Sequence, residues 1–277
     1  MLLTSGCSIT YGAELIPDDW YHPDHWELTF SHKLAEKLGV EYTCLAKCGN
    51  SNYKIYRELI RWFTEGRISE KCNNQVVRPS NCTHMVVLWS QWMRDEIFSR
   101  IHDSKPESDL SPSWDNMNMG FIQYRSAGSN ISDHLSPKAY ELLQNHWFKF
   151  KKDGQKMMTD QLVFMQSIQT LCDAYGIKLI QGTISTRFWC TLNSLKQDEG
   201  SKTLTNFSSN MREMIVSLRD TSRIGFGKFK TMYPYFVSKE DKKRLLKYGH
   251  PNAAAHTEYA EYLYTIFQEN FPEGEKK

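Results

Sequence analysis

Two short stretches at opposite ends of the chain carry residues suited to acyl transfer. The first is MLLTSGCSITYG at residues 1–12, where an apolar run at 1–4 ends in a Ser-Gly-Cys-Ser turn. A buried strand that stops in a turn of small residues can present a hydroxyl at its carboxyl end, where open α/β sheets keep their sites. Gly6 in that turn permits backbone conformations that other residues resist. The second stretch is GHPNAAAH at residues 249–256, which sets His250 just ahead of a helical pattern. Cleaving an ester needs a hydroxyl nucleophile, a base to take its proton, and donors for the developing oxyanion. Ser8 is the candidate nucleophile and His250 the candidate base. The backbone N–H groups of Ser8 and Gly49 and the side-chain amide of Gln91 are candidate oxyanion donors. Cys7 is an alternative nucleophile, but its side chain should point away from that of Ser8. Arg94 can hold a substrate anion or pair internally with Asp95 or Glu96.

These residues need elements to hold them. Apolar residues Leu28, Phe30, Leu34 and Leu38 recur at helical spacing over 27–38, and Gly39 is a natural stop. Residues 40–46 read as a second strand. It ends in the Gly/Asn turn at 47–52, and Ser51 or Asn52 can cap a helix over 53–64. Residues 83–90, with Met85 to Leu88 as a continuous apolar run, read as a strand buried on both faces. A helix is expected over 155–175, with Leu162, Met165, Ile168, Cys172 and Tyr175 on one face. Gly176 ends it before a strand over 177–182. A last helix over 252–267 buries Ala255, Tyr259, Leu263 and Phe267. Alternating strands and helices point to an α/β fold with a mostly parallel sheet. In that topology Ser8, Gly49 and the segment 89–91 arrive at one edge of the sheet. The polar, proline-bearing stretch at about 99–134 reads as an insertion or lid within a single domain spanning 1–277.

At 277 residues with 40% hydrophobic content and a net charge of +2, the chain suits a globular protein with a substantial core. Neither nucleic acid nor a membrane surface is implied as a partner by so small a charge. No apolar run is long enough to span a bilayer, and no basic-then-apolar leader is visible at the N-terminus. Seven scattered cysteines without CxxC spacing argue against a disulfide framework or a zinc knuckle, so a reducing cytoplasm is the expected compartment. His22 and His25 have a spacing that could bind a metal, but no third ligand lies nearby; they read as solvated loop histidines, and no metal is expected. His256 reads as a structural residue bonding the loop.

GCSITYG near the N-terminus, Gly49 in a GNSN turn, the strand VVLWS and HPNAAAH near the C-terminus resemble the ordered blocks of the SGNH, or GDSL-like, hydrolases. The likeness is to variants found in tailed phages, in which the first block reads Gly-Cys-Ser and the third strand ends in Trp-Ser with an Arg shortly after. The resemblance implies a three-layer α/β/α sandwich with a flavodoxin-like sheet. It implies hydrolysis of acetyl or acyl esters, often on carbohydrates or lipids, with no metal or organic cofactor. For a phage protein it implies the host cytoplasm or the virion as its location. Carried over by position, it makes Ser8 the nucleophile, Gly49 an oxyanion donor and His250 the base. Two departures stand out. Gln91 is nearest to the family's block-three Asn and is one methylene longer. The acid expected two or three residues before the histidine is replaced by Lys247 and Tyr248. A lysine there cannot orient the imidazole and would repel its protonated form. Loss of this carboxylate function costs about ten-thousandfold in a serine protease. Glu240, Asp241, Asp95, Glu96 or a backbone carbonyl in a Ser-His dyad are the expected replacements. The alternative reading is a degenerate hydrolase fold kept as a binding or virion structural module.

Overall fold

Four strands form a parallel sheet in the order β2-β1-β3-β6, where β1 is Leu2–Ser5, β2 is Tyr42–Cys44, β3 is His84–Trp89 and β6 is Lys178–Thr183. The register pairs Leu2 with Tyr42 and His84, and Trp89 with Thr183. The structure, a computed structural model, describes residues 1–16, 23–66, 78–90, 95–100, 119–124, 154–183, 245–246 and 250–272.

Strand alternation builds two cores from one sheet. Leu3, Met85, Val87 and Leu179 face α3 (Asn52–Glu65) and α4 (Gly154–Ala174), packing on Ile55, Leu59, Trp62, Leu162, Met165 and Ile168. Leu2, Val86, Leu88 and Ile180 face the other way, onto α2 (Phe30–Leu38) and α5 (Ala253–Asn270), where Phe30, Leu34, Tyr259, Leu263 and Phe267 are buried. The result is the three-layer α/β/α sandwich. Burying a Leu or Phe side chain contributes roughly 1.5–3 kcal/mol, so both faces of the sheet are strongly held.

Local chemistry sets the element ends. The helix expected over 27–38 splits. Residues Pro23–Leu28 form a 3-10 helix, and α2 begins after Thr29, whose side chain accepts from the His32 N–H at 3.3 Å. Gly39 closes α2 in the left-handed region at φ 63°. Of the two candidate caps for α3, Ser51 does the capping, accepting from the Lys54 N–H at 3.1 Å. The second strand keeps only three of the residues expected at 40–46. Tyr175, expected on the buried stripe of α4, is 47% exposed. The helix ends at Ala174, and Gly176 turns at φ 67°, so Tyr175 has left the helical phase and only grazes the ring of Phe63. The stretch read as an insertion or lid takes in the end of β4 (Asp95–Arg100) and all of β5 (Met119–Tyr124), which pair antiparallel as a separate two-stranded sheet. The rest of 99–134 lies outside the described residues.

Candidate active site

Ser8 is the first residue of a one-turn helix, α1 (Ser8–Tyr11), that starts two residues beyond the end of β1. The turn between them is tight. Gly6 is not in the left-handed region; what it supplies is the absence of a side chain. A Cβ there would lie 2.8 Å from Thr10 Cβ and 2.9 Å from the Leu88 carbonyl oxygen. Thus the glycine allows β1, β3 and α1 to close on one another, a different role from the backbone freedom expected from sequence.

His250 arrives from the far end of the chain. Its carbonyl accepts from the Leu246 N–H at 2.7 Å, and Leu245 forms an antiparallel bridge with Pro251. Asn252 then caps α5, accepting from the Ala255 N–H at 3.0 Å. With its backbone held on both sides, the imidazole sets Nε2 3.0 Å from Ser8 Oγ. On its other edge Nδ1 is hydrogen-bonded to a carboxylate oxygen of Glu14. A neutral imidazole that donates from Nδ1 to the carboxylate presents a lone pair at Nε2 to the serine hydroxyl. Glu14 is 8% exposed and Ser8 is 5% exposed, so this pairing takes place largely away from water.

The carboxylate in that place is Glu14, six residues after Ser8 in the same N-terminal segment and not among the acids expected from the sequence. The chain reaches it through two left-handed residues: Gly12 at φ 83°, which terminates α1, and Glu14 itself at φ 66°. Glu14 is the one non-glycine residue with positive φ among the described residues. Left-handed backbone at a bulky L-residue is strained and persists where the surroundings dictate it. Here the Ala13 N–H donates to the Ser8 carbonyl and the Leu15 N–H to the Gly12 carbonyl, which fixes the reversal that aims the carboxylate at His250. The sequence signal was available: Glu14 is the first acidic residue in the chain and follows a glycine turn directly after the serine block.

The turn that holds Gly49, at φ 80°, is drawn against the serine turn by Asn50, whose Nδ2 donates to the Gly6 carbonyl at 2.9 Å. Asn52 Nδ2 donates to the Ser90 carbonyl at the end of β3, at 3.3 Å. The β1, β2 and β3 ends therefore meet at one edge. Gln91 and Arg94 lie outside the described residues, as do Lys247, Tyr248, Glu240 and Asp241. The side chains of Asp95 and Glu96, on β4, are likewise not described.

Several solved structures are similar to the chain. An acetyl xylan esterase from the rumen bacterium Butyrivibrio proteoclasticus matches at 13% identity and a TM-score of 0.42, over 97% of this chain and 63% of that one. A lipase from a goat rumen metagenome matches at 13% identity and a TM-score of 0.43, over 96% of each chain. A member of the lipolytic G-D-S-L family from Veillonella parvula matches at 12% identity and a TM-score of 0.40, over 99% of this chain and 98% of that one. This chain spans less than two thirds of the length of the acetyl xylan esterase. No family model and no curated protein matches the sequence.

The remaining candidates fall outside the Ser8–His250–Glu14 line. Cys7 is fully buried and packs with Leu2, Ile9 and Phe30 on the α2/α5 face. His25 is buried and not solvated as expected: its Nε2 donates to the Tyr11 carbonyl at 3.1 Å, and its ring lies against Tyr11 and Trp26. His22 lies outside the described residues. Among the described residues no group of three His, Cys, Asp or Glu side chains could hold a metal ion, and no helix is long and apolar enough to cross a membrane. His256 bonds a helix start and not the His250 loop. Its Nδ1 accepts from the Phe30 N–H at 3.1 Å, and its ring stacks on Phe30. Burial, and then the neighbouring His250 and His25, push its pKa down to about 3.

Proposed function

We propose that this protein is a serine hydrolase of acyl esters, with Ser8 as nucleophile, His250 as general base and acid, and Glu14 as the carboxylate that orients the imidazole. Ser8 Oγ attacks the ester carbonyl carbon as its proton passes to His250 Nε2, 3.0 Å away. The imidazolium so formed is stabilised by Glu14 across Nδ1. The N–H groups of Ser8 and Gly49, with the Gln91 amide as a third donor, receive the negative oxygen of the tetrahedral intermediate. Collapse breaks the bond to the leaving alcohol, which takes the proton from His250. Water then attacks the acyl-serine by the same route in reverse, returning the proton to Ser8 and releasing the acid. Arg94 is assigned to an anionic group of the substrate. Acetyl or short acyl esters, including those on carbohydrates, are the substrate class that the SGNH-like blocks imply, and no step calls on a cofactor.

The observation that carries this reading is the single imidazole bonded to a serine hydroxyl on one edge and to a buried carboxylate on the other. The test is covalent labelling by a fluorophosphonate probe together with p-nitrophenyl acetate turnover. Wild-type protein labels and turns over, and Ser8→Ala does neither. Folded wild-type protein that does neither would reject the enzyme reading in favour of a binding or structural module.

A further inference from the structure

Two amides in the Gly49 turn do something that capping does not require. Asn50 is 1% exposed and Asn52 is 5% exposed. Each donates to a carbonyl on a different strand end: Asn50 to Gly6, two residues before Ser8, and Asn52 to Ser90, directly after β3. Ser51, between them, already caps α3, so neither amide is needed to start that helix. Both side-chain carbonyl oxygens, Oδ1 of Asn50 and of Asn52, are buried without a hydrogen-bond partner among the described residues. What the two amides do supply is direction. A carbonyl held by a fixed donor fixes its peptide plane, since the peptide is rigid. The Gly6 bond sets the first peptide of the turn that delivers Ser8, and the Ser90 bond sets where the chain leaves β3 toward Gln91.

We infer that Asn50 and Asn52 are positioning residues that cross-brace the three strand ends, Asn50 holding the nucleophile turn and Asn52 the end of β3, so that nucleophile and oxyanion donors are pre-set around one point. Its catalytic consequence rests on the hydrolase reading above. Small misplacements of reacting groups cost as much as about a hundredfold in rate. The braces act on geometry without touching substrate, so their loss lowers kcat and leaves KM nearly alone.

The experiment compares wild type with Asn50→Ala and Asn52→Ala, and with Asn50→Asp and Asn52→Asp, which keep the side-chain shape and remove the donor. Each is followed by kcat and KM on p-nitrophenyl acetate, by melting temperature and by amide hydrogen exchange. The expected result is a loss of kcat of about tenfold to a hundredfold with KM within about twofold. Exchange speeds up in the Ser8 turn for the Asn50 variants and at the β3 end for the Asn52 variants, with the rest of the sheet unchanged. Wild-type kcat in folded variants, or faster exchange spread evenly over the molecule, would overturn the brace. If the alanine variants do not fold, the aspartate pair decides by the same readouts. Should wild type prove inert toward the ester and the probe, the hydrolase reading fails by itself, and site-specific or uniform exchange still decides whether the braces exist.

Discussion

The carboxylate of Glu14 meets the Nδ1 edge of His250 across 236 residues of chain, while the other edge of the same ring faces Ser8 Oγ. The serine and the carboxylate thus come from one fourteen-residue segment, and only the imidazole comes from elsewhere. The acid of this site is carried on the serine's own turn, not beside the histidine.

Glu14→Gln keeps the shape and removes the charge. Without the carboxylate the imidazole is free to take the wrong tautomer, and its cation loses its counter-charge. The expected outcome is a fall in kcat of about a thousandfold to ten-thousandfold with KM changed far less. Steady-state kinetics read this directly, and a loss under tenfold would show that the carboxylate is dispensable.

Gly6→Ala introduces a Cβ that would meet Thr10 and the Leu88 carbonyl at less than 3.0 Å. Relief requires β1, α1 and β3 to move apart, at a cost of about 1–3 kcal/mol. The melting temperature should drop by several degrees and fluorophosphonate labelling of Ser8 should slow. An unchanged melting curve would mean that the turn accommodates a methyl group.

Asn252→Ala removes the cap that starts α5 two residues beyond His250. Loss of such a cap costs about 1 kcal/mol. Chemical denaturation should show that loss with an unchanged m-value, and kcat should fall as well, because the cap holds the segment that carries the imidazole. Unaltered stability would mean that packing of α5 against α2 alone fixes the helix start.

Stability should fall as the solution is acidified below pH 6.5. His256 titrates near 3 in the folded protein because it is buried, and His84 near 4 because of burial, Lys178 and the N-terminal ammonium. Above pH 6.5 both are neutral, folded or unfolded, and their contribution is fully present. Between 6.5 and their folded values the unfolded chain binds protons that the native state refuses, so stability is lost at up to about 1.4 kcal/mol per pH unit for the fully buried His256, and by less for the partly exposed His84, whose charge is screened by solvent. Protonating His256 also removes the acceptor that holds the Phe30 N–H. Melting temperatures from pH 8 to pH 4 test this, and His256→Gln, which keeps an acceptor and cannot titrate, should flatten the curve. An equally steep curve in that variant would assign the loss to other groups.

Much of the frame could be read from local pattern. The continuous apolar run at Met85–Leu88, the helical spacing of Leu263 and Phe267, and the glycines at 39 and 176 each report a requirement satisfied within a few residues. The boundaries that shifted did so where packing overrode pattern. Thr29 capped α2 inside a stretch of helical spacing, and Tyr175 left the stripe because Gly176 had already turned the chain. His25 has the look of a loop residue and is buried because Tyr11 and Trp26 close over it.

By itself the sequence determined the alternation of strands and helices, the small-residue turn that presents Ser8, and the histidine set ahead of the last helix. All of these depend on neighbours close in the chain, where periodicity and turn chemistry act. Only the tertiary structure decided which carboxylate stands behind His250. Glu14 gains that place through two left-handed residues and through packing between the two ends of the chain, and no spacing around the histidine records it. A hydrogen bond between residues 14 and 250 is a property of the folded sheet edge, and Lys247 and Tyr248, which stand where an acid was expected, can neither supply it nor predict it.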